Sequence, residues 1–491
     1  MKDWLKKNKW TIIIFMAIIL TAAFLRFYRQ ADYMTFLGDE GRDAMAVKKI
    51  LVDHEFPLIG PPTSFGNIHL GPLYYYMMAA VMAILGLNPV VAAGMVAFLG
   101  VATVAMIFYL ARKWFGLYGA IIASFLYAIS PMTIILSRSS WNPNPVPFFS
   151  LLAFIGLVKA RESHNYLWLI LTGAALAFAL QMHYLTLILL PLFGILWLIE
   201  LTSPTIDKKY FRAGTIVAII VFLLLMSPLI IYDMEYDQAN LRAFLEMFTG
   251  SQVIGLNFQA AALNIPTIYF FNLINFYMAG GNLWLAALPA LIILFFSYKG
   301  LKDKKDKNFW VFKSLGMWLV IGLIGLSLIR QRMNDQYLEF LNFVPYLLLG
   351  GVINLVARRY RLAILIMLTL FLGFINLQKN PLLYPANKQL ARTQEITKFI
   401  IEQSNDQPFN FALIPYGGNY DMAYQFYLWK FRANVQSVLS NKTSQLFVVC
   451  EYTICEPTTS SISEISAFGA SKIVAENNIN GIRIFRLGHA N

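Results

Sequence analysis

Long runs without an ionisable side chain dominate this sequence. They occur at 11–25, 90–110, 116–136, 184–199 and 214–232. An α-helix needs about 20 apolar residues to cross the hydrocarbon core of a bilayer, whereas a soluble fold would have to bury every one of these runs. The sequence therefore predicts a polytopic α-helical membrane protein. The first run has no small-residue cleavage site after it, and we expect it to be retained as a transmembrane helix.

The distribution of charge agrees with this prediction. The chain is 58% hydrophobic and 13% charged, and its formal net charge is +13. A basic protein can bind nucleic acid, but here the Lys and Arg residues form short clusters between the apolar runs. Such clusters are typical of membrane topology. We therefore expect no nucleic-acid partner and a multi-pass protein of the plasma membrane.

Two further apolar segments, 73–85 and 266–279, are short and rich in Tyr, Phe, Asn or Met. If neither crosses, the loops on the side of the N-terminus carry most of the Lys and Arg; if both cross, this excess disappears. We therefore predict about eleven spans, with about thirteen as the alternative. The N-terminus is then cytoplasmic and the C-terminus outside, and the two short segments lie at or dip into the outer surface.

From about residue 380 the composition becomes that of a soluble domain. Residues 391–403 have the pattern of an amphipathic helix, 409–414 and 445–450 of buried strands, and 481–487 of an edge strand. The predicted organisation is a membrane domain over 1–379 and a small extracytoplasmic α/β domain over 380–491. Its two cysteines, Cys450 and Cys455, could pair in an oxidising compartment or remain free thiols.

The predicted outer loops combine acids, bases and hydrogen-bonding groups. The first loop contains Asp39 and Glu40 at the start of a helical stretch. One carboxylate of such a pair can accept a hydroxyl proton while its neighbour orients it. An acid pair also favours a helix N-terminus without any catalysis, which is the alternative interpretation.

A second outer motif begins at His69 and continues through Pro72 to Tyr74 and Tyr75. The tyrosines suit an interfacial anchor, while the imidazole of His69 could bind a phosphate.

Later outer loops carry Arg138, Asn144, His183 and the hairpin 330–339 with Arg332. Arginine is disfavoured on this side of the membrane, and a bound anion would offset the cost. The alternatives are a snorkelling helix end for Arg138 and a structural role for His183.

No paired His or Cys metal motif, P-loop or dinucleotide fingerprint is present in the sequence. The interiors of the spans are nearly free of charge, which argues against a transporter or pump.

Taken in order, 39–42, His69 to Tyr75, the turn at 111–116 and the loop 129–144 resemble GT-C glycosyltransferases of the family 39-like group. This group contains the protein O-mannosyltransferases and the lipid A aminoarabinose transferases. The resemblance covers about the first 200 residues and extends more loosely to 337–345. The C-terminal domain matches only in position and orientation.

The resemblance implies a GT-C fold and inverting transfer of a sugar from a polyprenyl-phosphate donor to a hydroxyl acceptor, a lipid, glycan or protein, at the outer face. It places the catalytic acid on Asp39, with Glu40 beside it. From the residues themselves we predict phosphate contacts by Arg138, Arg332, His69 and His183. We also predict substrate contacts by Arg42, Tyr74, Tyr75, Asn144 and Tyr337.

Two departures concern cofactors. Many relatives have Asp where this chain has Asn142 to Asn144, and often Lys at the position of His183. No cofactor is therefore firmly implied, and whether a divalent metal takes part stays open. The rival hypothesis is a non-enzymatic protein, either a lipid-linked sugar flippase or a membrane assembly scaffold.

Overall fold

The computed structural model describes residues 2–63, 68–249, 258–329, 333–417, 419–452 and 455–490. Helices predominate in the first 380 residues. In chain order they are α1 Lys2–Phe27, α2 Gln30–Tyr33, α3 Gly38–Lys48, α4 Leu73–Leu85, α5 Pro89–Ile129, α6 Pro131–Leu136, α7 Val146–Ser163, α8 Trp168–Met182, α9 Leu189–Leu201, α10 Lys208–Glu235, α11 Ala239–Thr249, α12 Phe258–Thr267, α13 Phe276–Met278, α14 Leu283–Lys302, α15 Phe309–Ser327, α16 Val344–Leu355 and α17 Arg361–Gln378.

The remaining part of the chain mixes helices and strands. Its elements are α18 Gln389–Gln403, β1 Asn410–Ile414, α19 Met422–Lys430, β2 Gln445–Cys450, α20 Ser463–Phe468, β3 Ser471–Ile479 and β4 Ile482–His489.

The chain divides into two compact units. The helical unit comprises Met1–Tyr28, Pro57–Val81 and Ala93–Pro385, and the sheet unit comprises Arg29–Phe56, Met82–Ala92 and Ala386–Asn491. The sheet unit therefore contains α3 with the acid pair, as well as the C-terminal region. The domain boundary near residue 380 stays a prediction.

Seven helices among the described residues are long and apolar enough to cross a membrane. They are Asn8–Phe27, Pro89–Ile129, Tyr184–Leu201, Lys208–Glu235, Leu283–Lys302, Phe309–Ser327 and Arg358–Gln378. Shorter apolar helices are Leu73–Leu85, Trp168–Met182 and Val344–Leu355. The predicted fold class, a polytopic helical membrane protein with a small C-terminal sheet, is confirmed. The number of spans stays a prediction.

Helix α5 is longer than one crossing requires. Its 41 residues extend about 60 Å at 1.5 Å per residue, about twice the thickness of the hydrocarbon core. Gly116 interrupts it with φ 78°, a backbone conformation that glycine adopts without a steric cost. The half before Gly116 contains the predicted span 90–110, whereas the half after it ends at Ile129, short of the predicted 116–136; whether each half crosses the membrane stays a prediction.

The core of the helical unit is built around Trp318 of α15, which is fully buried. Its ring makes edge contacts with Phe154 of α7, Phe193 of α9 and Phe343, at centroid distances of 5.3, 5.7 and 5.1 Å. Its indole nitrogen donates to the carbonyl of Phe340 at 3.0 Å. A buried Trp needs such a partner for its one polar atom, so this residue fixes α15 against three neighbours.

The sheet has the strand order β1-β2-β4-β3. Strands β1 and β2 are parallel, and the other pairs are antiparallel. Because side chains alternate along a strand, Phe411 and Phe447 face a cluster with Ile396 and Ile400 of α18. Val448 faces the opposite cluster with Phe468 of α20. Strands β1 and β2 are thus buried on both faces, as predicted.

One strand prediction was wrong. Residues 481–487 were predicted to form an edge strand, but β4 lies between β2 and β3. The burial pattern of β4 is not a strict alternation, because Ile484 and Phe485 are both buried, one in each of the two clusters. Strand β3, which pairs along the outer side of β4, was not recognised, because its exposed Lys472, Glu476 and Asn477 look like loop residues.

Cys450 at the end of β2 forms a disulfide with Cys455. Of the two alternatives left open by the sequence, the structure has the paired one.

Candidate functional site

The predicted catalytic pair lies in the first turn of α3, in the sheet unit. Asp39 and Glu40 are the acidic residues of that turn. The free N–H groups and the positive end of the helix dipole favour carboxylates at this position. The helix thus presents both acids at its N-terminus, but their surroundings differ.

Asp39 is the exposed member of the pair. Its Oδ1 accepts from Nη1 of Arg42 at 2.7 Å and from the hydroxyl of Tyr420 at 2.7 Å. The same guanidinium nitrogen donates to the Tyr420 oxygen at 3.1 Å, which closes a triangle. The side chain of Asp39 is still 40% exposed, so one oxygen is fixed while the carboxylate remains accessible.

Glu40 is buried and serves its own helix. Its Oε2 accepts from the backbone N–H of Leu37 at 3.0 Å, and its Oε1 accepts from the hydroxyl of Thr35. Burial raises the pKa of this carboxyl, while the bonds from Thr35 and Leu37 oppose the rise. These bonds are those of a helix cap, so the alternative interpretation of the acid pair applies to Glu40. Its catalytic role stays a prediction.

A third carboxyl completes the group. Asp43 is fully buried, and its Oδ1 accepts from Nε and Nη2 of Arg42 at 2.9 and 2.6 Å. Burial raises its pKa to about 7, against the opposing effect of the adjacent Arg42. Arg42 therefore links the exposed Asp39 to the buried Asp43. No role for Asp43 is predicted from the sequence.

Tyr420 was also missed by the sequence analysis. It lies 381 residues after Asp39 in the chain, in a loop with no motif of its own. Burial raises its pKa, so the phenol keeps its proton and can donate it to a carboxylate. Only the fold brings this hydroxyl to Asp39.

The remaining predicted site residues that the structure describes belong to the helical unit. His69 lines a pocket of about 210 Å³, whose other polar side chains are Gln181, Tyr184, Asp233 and Asn240. The backbone N–H of His69 donates to Oδ1 of Asn240 at 2.6 Å, and Asp233 accepts from the backbone N–H of Asn240 at 2.8 Å. The rest of the lining is largely apolar. Such a pocket can hold a mostly apolar ligand with a polar end.

His183 and Tyr337, far apart in sequence, are brought together. Their ring centroids are 5.5 Å apart, and Tyr184 stacks on His183 at 4.7 Å. Nδ1 of His183 accepts from the backbone N–H of Leu185 at 3.2 Å. This bond supports the structural interpretation of His183, and a phosphate contact through the other ring nitrogen stays a prediction.

Arg138 is buried at the end of α1. Its Nη1 donates to the carbonyl of Leu25 at 2.6 Å and its Nη2 to that of Tyr28 at 2.7 Å. A guanidinium that satisfies the last carbonyls of a helix has a clear structural function. Its predicted phosphate contact is not tested by these bonds.

The other predicted contacts are placed as follows. Tyr74 and Tyr75 are buried in α4. Nδ2 of Asn144 donates to the carbonyl of Ser139 at 2.9 Å, and its Oδ1 is buried with no hydrogen-bond partner among the described residues. Arg332 lies outside the described residues.

In the part of the chain that the structure describes, no three His, Cys, Asp or Glu side chains form a group that could hold a metal ion.

The fold is shared with solved glycosyltransferases. ArnT from Cupriavidus metallidurans, solved with undecaprenyl phosphate, is similar with a TM-score of 0.64 and 11% identity over 99% of both chains. AglB from Archaeoglobus fulgidus, solved with an inhibitory peptide and a dolichol-phosphate, has a TM-score of 0.57 and 14% identity over 91% of this chain and 70% of that one. The chain has a GT-C fold.

Further comparisons agree with that GT-C assignment. The arabinofuranosyltransferase AftD from Mycobacteria has a TM-score of 0.54 and 13% identity, over 99% of this chain and 40% of AftD. The family model described as dolichyl-phosphate-mannose-protein mannosyltransferase matches residues 69–232. No curated protein matches the chain by sequence. The predicted resemblance to GT-C glycosyltransferases is confirmed; at these identities the structures show the fold alone.

Proposed function

We propose that this protein transfers a sugar from a polyprenyl-phosphate donor to a hydroxyl acceptor at the outer membrane face, with inversion at the anomeric carbon. The observation that carries the proposal is that the Asp39 carboxylate is both fixed and accessible. One oxygen is held by Arg42 and Tyr420 while the side chain stays 40% exposed. The family match over 69–232 and the GT-C fold support glycosyl transfer.

The chemistry asks little of the protein beyond orientation and charge. The acceptor oxygen forms a bond to the anomeric carbon as the bond from that carbon to the phosphate oxygen breaks. The acceptor proton passes to Asp39, and polyprenyl phosphate leaves with the electron pair. A fixed carboxylate aligned with the acceptor supplies general-base catalysis. Growing charge on the phosphate needs cationic or N–H partners, for which His69, Arg138, His183 and Arg332 are our candidates.

The predicted topology belongs to the same proposal. With a cytoplasmic N-terminus, α3 and the sheet unit lie outside the plasma membrane. The Cys450–Cys455 disulfide supports this orientation, since disulfides persist in oxidising compartments. We propose no step through a metal.

The test begins with the donor. The purified protein is extracted with its membrane lipids, and lipid-linked sugars that copurify are identified by mass. The protein is then reconstituted with that donor and candidate hydroxyl acceptors. We expect release of polyprenyl phosphate coupled to a glycosylated product of inverted configuration.

Two variants make the test specific. Asp39→Asn keeps the size and the acceptor oxygen but loses the basicity, and we expect the rate to fall about 10² to 10⁴-fold. Asp32→Asn is the matched control, because Asp32 of the neighbouring helix α2 is a partly exposed acid that pairs with Arg29. No product with the wild-type protein would refute the proposed transfer, and full activity of Asp39→Asn would refute the role of Asp39 as its base. Movement of the donor across the bilayer without product would favour the flippase.

A further inference from the structure

The N-terminus of α3 is held by a short segment of the C-terminal region within the same unit. The backbone N–H of Gly38 donates to Oδ1 of Asn419 at 2.7 Å. The next residue, Tyr420, donates its hydroxyl to Asp39. Two successive residues of one segment therefore fix two successive residues of the proposed catalytic loop.

That segment is itself anchored. Nδ2 of Asn419 donates to Oε2 of Glu451 at 2.7 Å, and the hydroxyl of Tyr424 donates to Oε1 of the same carboxylate at 3.0 Å. Glu451 directly follows Cys450, whose disulfide closes on Cys455. The carboxylate of Glu451, directly after β2, thus orients the side-chain amide of Asn419.

Helix α3 packs closely against the segment that contains Asn419 and Tyr420. A Cβ on Gly41 would lie 2.2 Å from the backbone nitrogen of Ala423 and 2.5 Å from the carbonyl carbon of Met422. A Cβ on Gly38 would lie 2.6 Å from the ring of Tyr420. Glycine at these two positions allows α3 to lie close to the segment, and the side chain of Tyr420 can then reach Asp39.

We propose that Asn419 and Tyr420 are positioning residues that hold Asp39 in its reactive orientation. Tyr420 and Arg42 both occupy Oδ1, which directs the second oxygen, Oδ2, toward the acceptor. Asn419 fixes the backbone next to Asp39 by accepting the hydrogen bond from the N–H of Gly38. This inference rests on the proposed function, but its structural half is measurable without any transfer.

The first measurement is hydrogen–deuterium exchange of the full-length protein. Asn419→Ala removes the acceptor of the Gly38 amide, and Tyr420→Phe removes only a hydroxyl. We expect faster exchange at 38–42 in both variants and unchanged exchange in α18. Tyr416→Phe is the matched control, because Tyr416 lies in the same segment and is 68% exposed. Unchanged exchange at 38–42 in both variants would overturn the inference, whatever the protein's activity.

The second measurement is a double-mutant cycle on transfer. Tyr420→Phe should lower kcat about tenfold, the scale of one lost hydrogen bond to a charged group, with little change in KM for the donor. In the Asp39→Asn background the same substitution should change kcat less than about twofold, because residues that act as a unit are not additive. Equal losses in both backgrounds would show that Tyr420 does not act through Asp39 and would overturn the inference.

The two measurements separate the two ideas. Faster exchange at 38–42 with no transfer by the wild-type protein would refute the proposed function but leave Asn419 and Tyr420 as the residues that hold Asp39. Transfer by the wild type without any coupling between Tyr420 and Asp39 would support the proposed function and refute the inference about Tyr420.

Discussion

Arg42 and Asp43 form a side-on ion pair in which two nitrogens of the guanidinium share one carboxylate oxygen. Nε and Nη2 lie 2.9 and 2.6 Å from Oδ1. The second oxygen, Oδ2, is buried and has no hydrogen-bond partner among the described residues. Arg42 therefore hydrogen-bonds only one oxygen of a carboxylate that is fully removed from water. Burying the second oxygen costs free energy of desolvation that no hydrogen bond offsets.

This geometry predicts how stability depends on pH. Burial raises the pKa of Asp43 from 3.8 to about 7. Between these two values the folded state binds the proton and the unfolded state does not, so the contribution of this group to the free energy of unfolding decreases as pH rises. We expect the melting temperature to rise as pH falls from about 8 to about 5.

The check is a series of melting temperatures for the wild type and Asp43→Asn. The variant should lose the part of the slope that comes from this group. Asp53→Asn is the control, because Asp53 pairs with Lys48 and is partly exposed. An identical slope in the wild type and Asp43→Asn would mean that Asp43 does not titrate in this range.

Much of the fold follows from local patterns in the sequence. The apolar segment 73–85 is a helix with the predicted bounds, and α18, β1 and β2 lie where periodicity placed them. Asp39 and Glu40 begin a helix, as their charge indicated. These features depend on neighbouring residues, so a local pattern contains the necessary information.

The rest depends on contacts that no local pattern encodes. Tyr420 reaches Asp39 across 381 positions, and nothing in its own segment marks it. The position of β4 inside the sheet depends on β3, whose polar residues conceal it. Burial of Asp43 likewise follows from packing and not from its neighbours in sequence. Long-range contacts therefore supply the part of the candidate site that the sequence analysis missed.

A second prediction concerns Glu200 at the end of α9. Its side chain is fully buried, accepts from Arg161 with 2.5 Å contacts, and accepts from the indole of Trp310 at 2.7 Å. Removing the carboxylate leaves the guanidinium and indole without this partner, but Arg161 is 31% exposed and water can replace part of the contact, so Glu200→Ala should destabilise the protein by roughly 1–3 kcal/mol. Thermal unfolding in detergent measures it.

The control for Glu200 is Glu162, which follows its partner Arg161 in the sequence. Glu162 pairs with Lys113, but both side chains are about one third exposed. An exposed pair contributes roughly 0–1 kcal/mol, so Glu162→Ala should melt near the wild-type temperature. Equal losses in the two variants would mean that burial does not set the strength of the Glu200 contacts.

The third prediction concerns topology. With about eleven spans, Lys113 and Lys208 face the cytoplasm. A cysteine introduced at either position should be shielded from a membrane-impermeant thiol reagent in intact cells and react after permeabilisation. The native cysteines are paired and should not contribute. Labelling of both positions in intact cells would contradict the predicted orientation.

The last prediction separates the roles of the two adjacent acids. Glu40→Gln keeps an oxygen that can accept from Leu37 N–H and an amide that can donate to the hydroxyl of Thr35, so both contacts of the cap survive in kind. The amide also removes a buried ionisable group whose pKa is raised by burial. We expect near wild-type transfer and melting temperature for Glu40→Gln. Glu40→Ala loses both contacts and should cost about 1 kcal/mol of stability, as caps do.

The comparison with Asp39→Asn decides between the acids. A general base must keep its basicity, whereas a helix cap needs only hydrogen-bonding atoms, so the amide substitution should abolish one role and preserve the other. Rates and melting temperatures of Asp39→Asn and Glu40→Gln, measured side by side, test this directly. A well-folded, inactive Glu40→Gln beside a fully active Asp39→Asn would show that the buried carboxyl is the base. In that case Tyr420 and Arg42 would hold an acid that takes no proton.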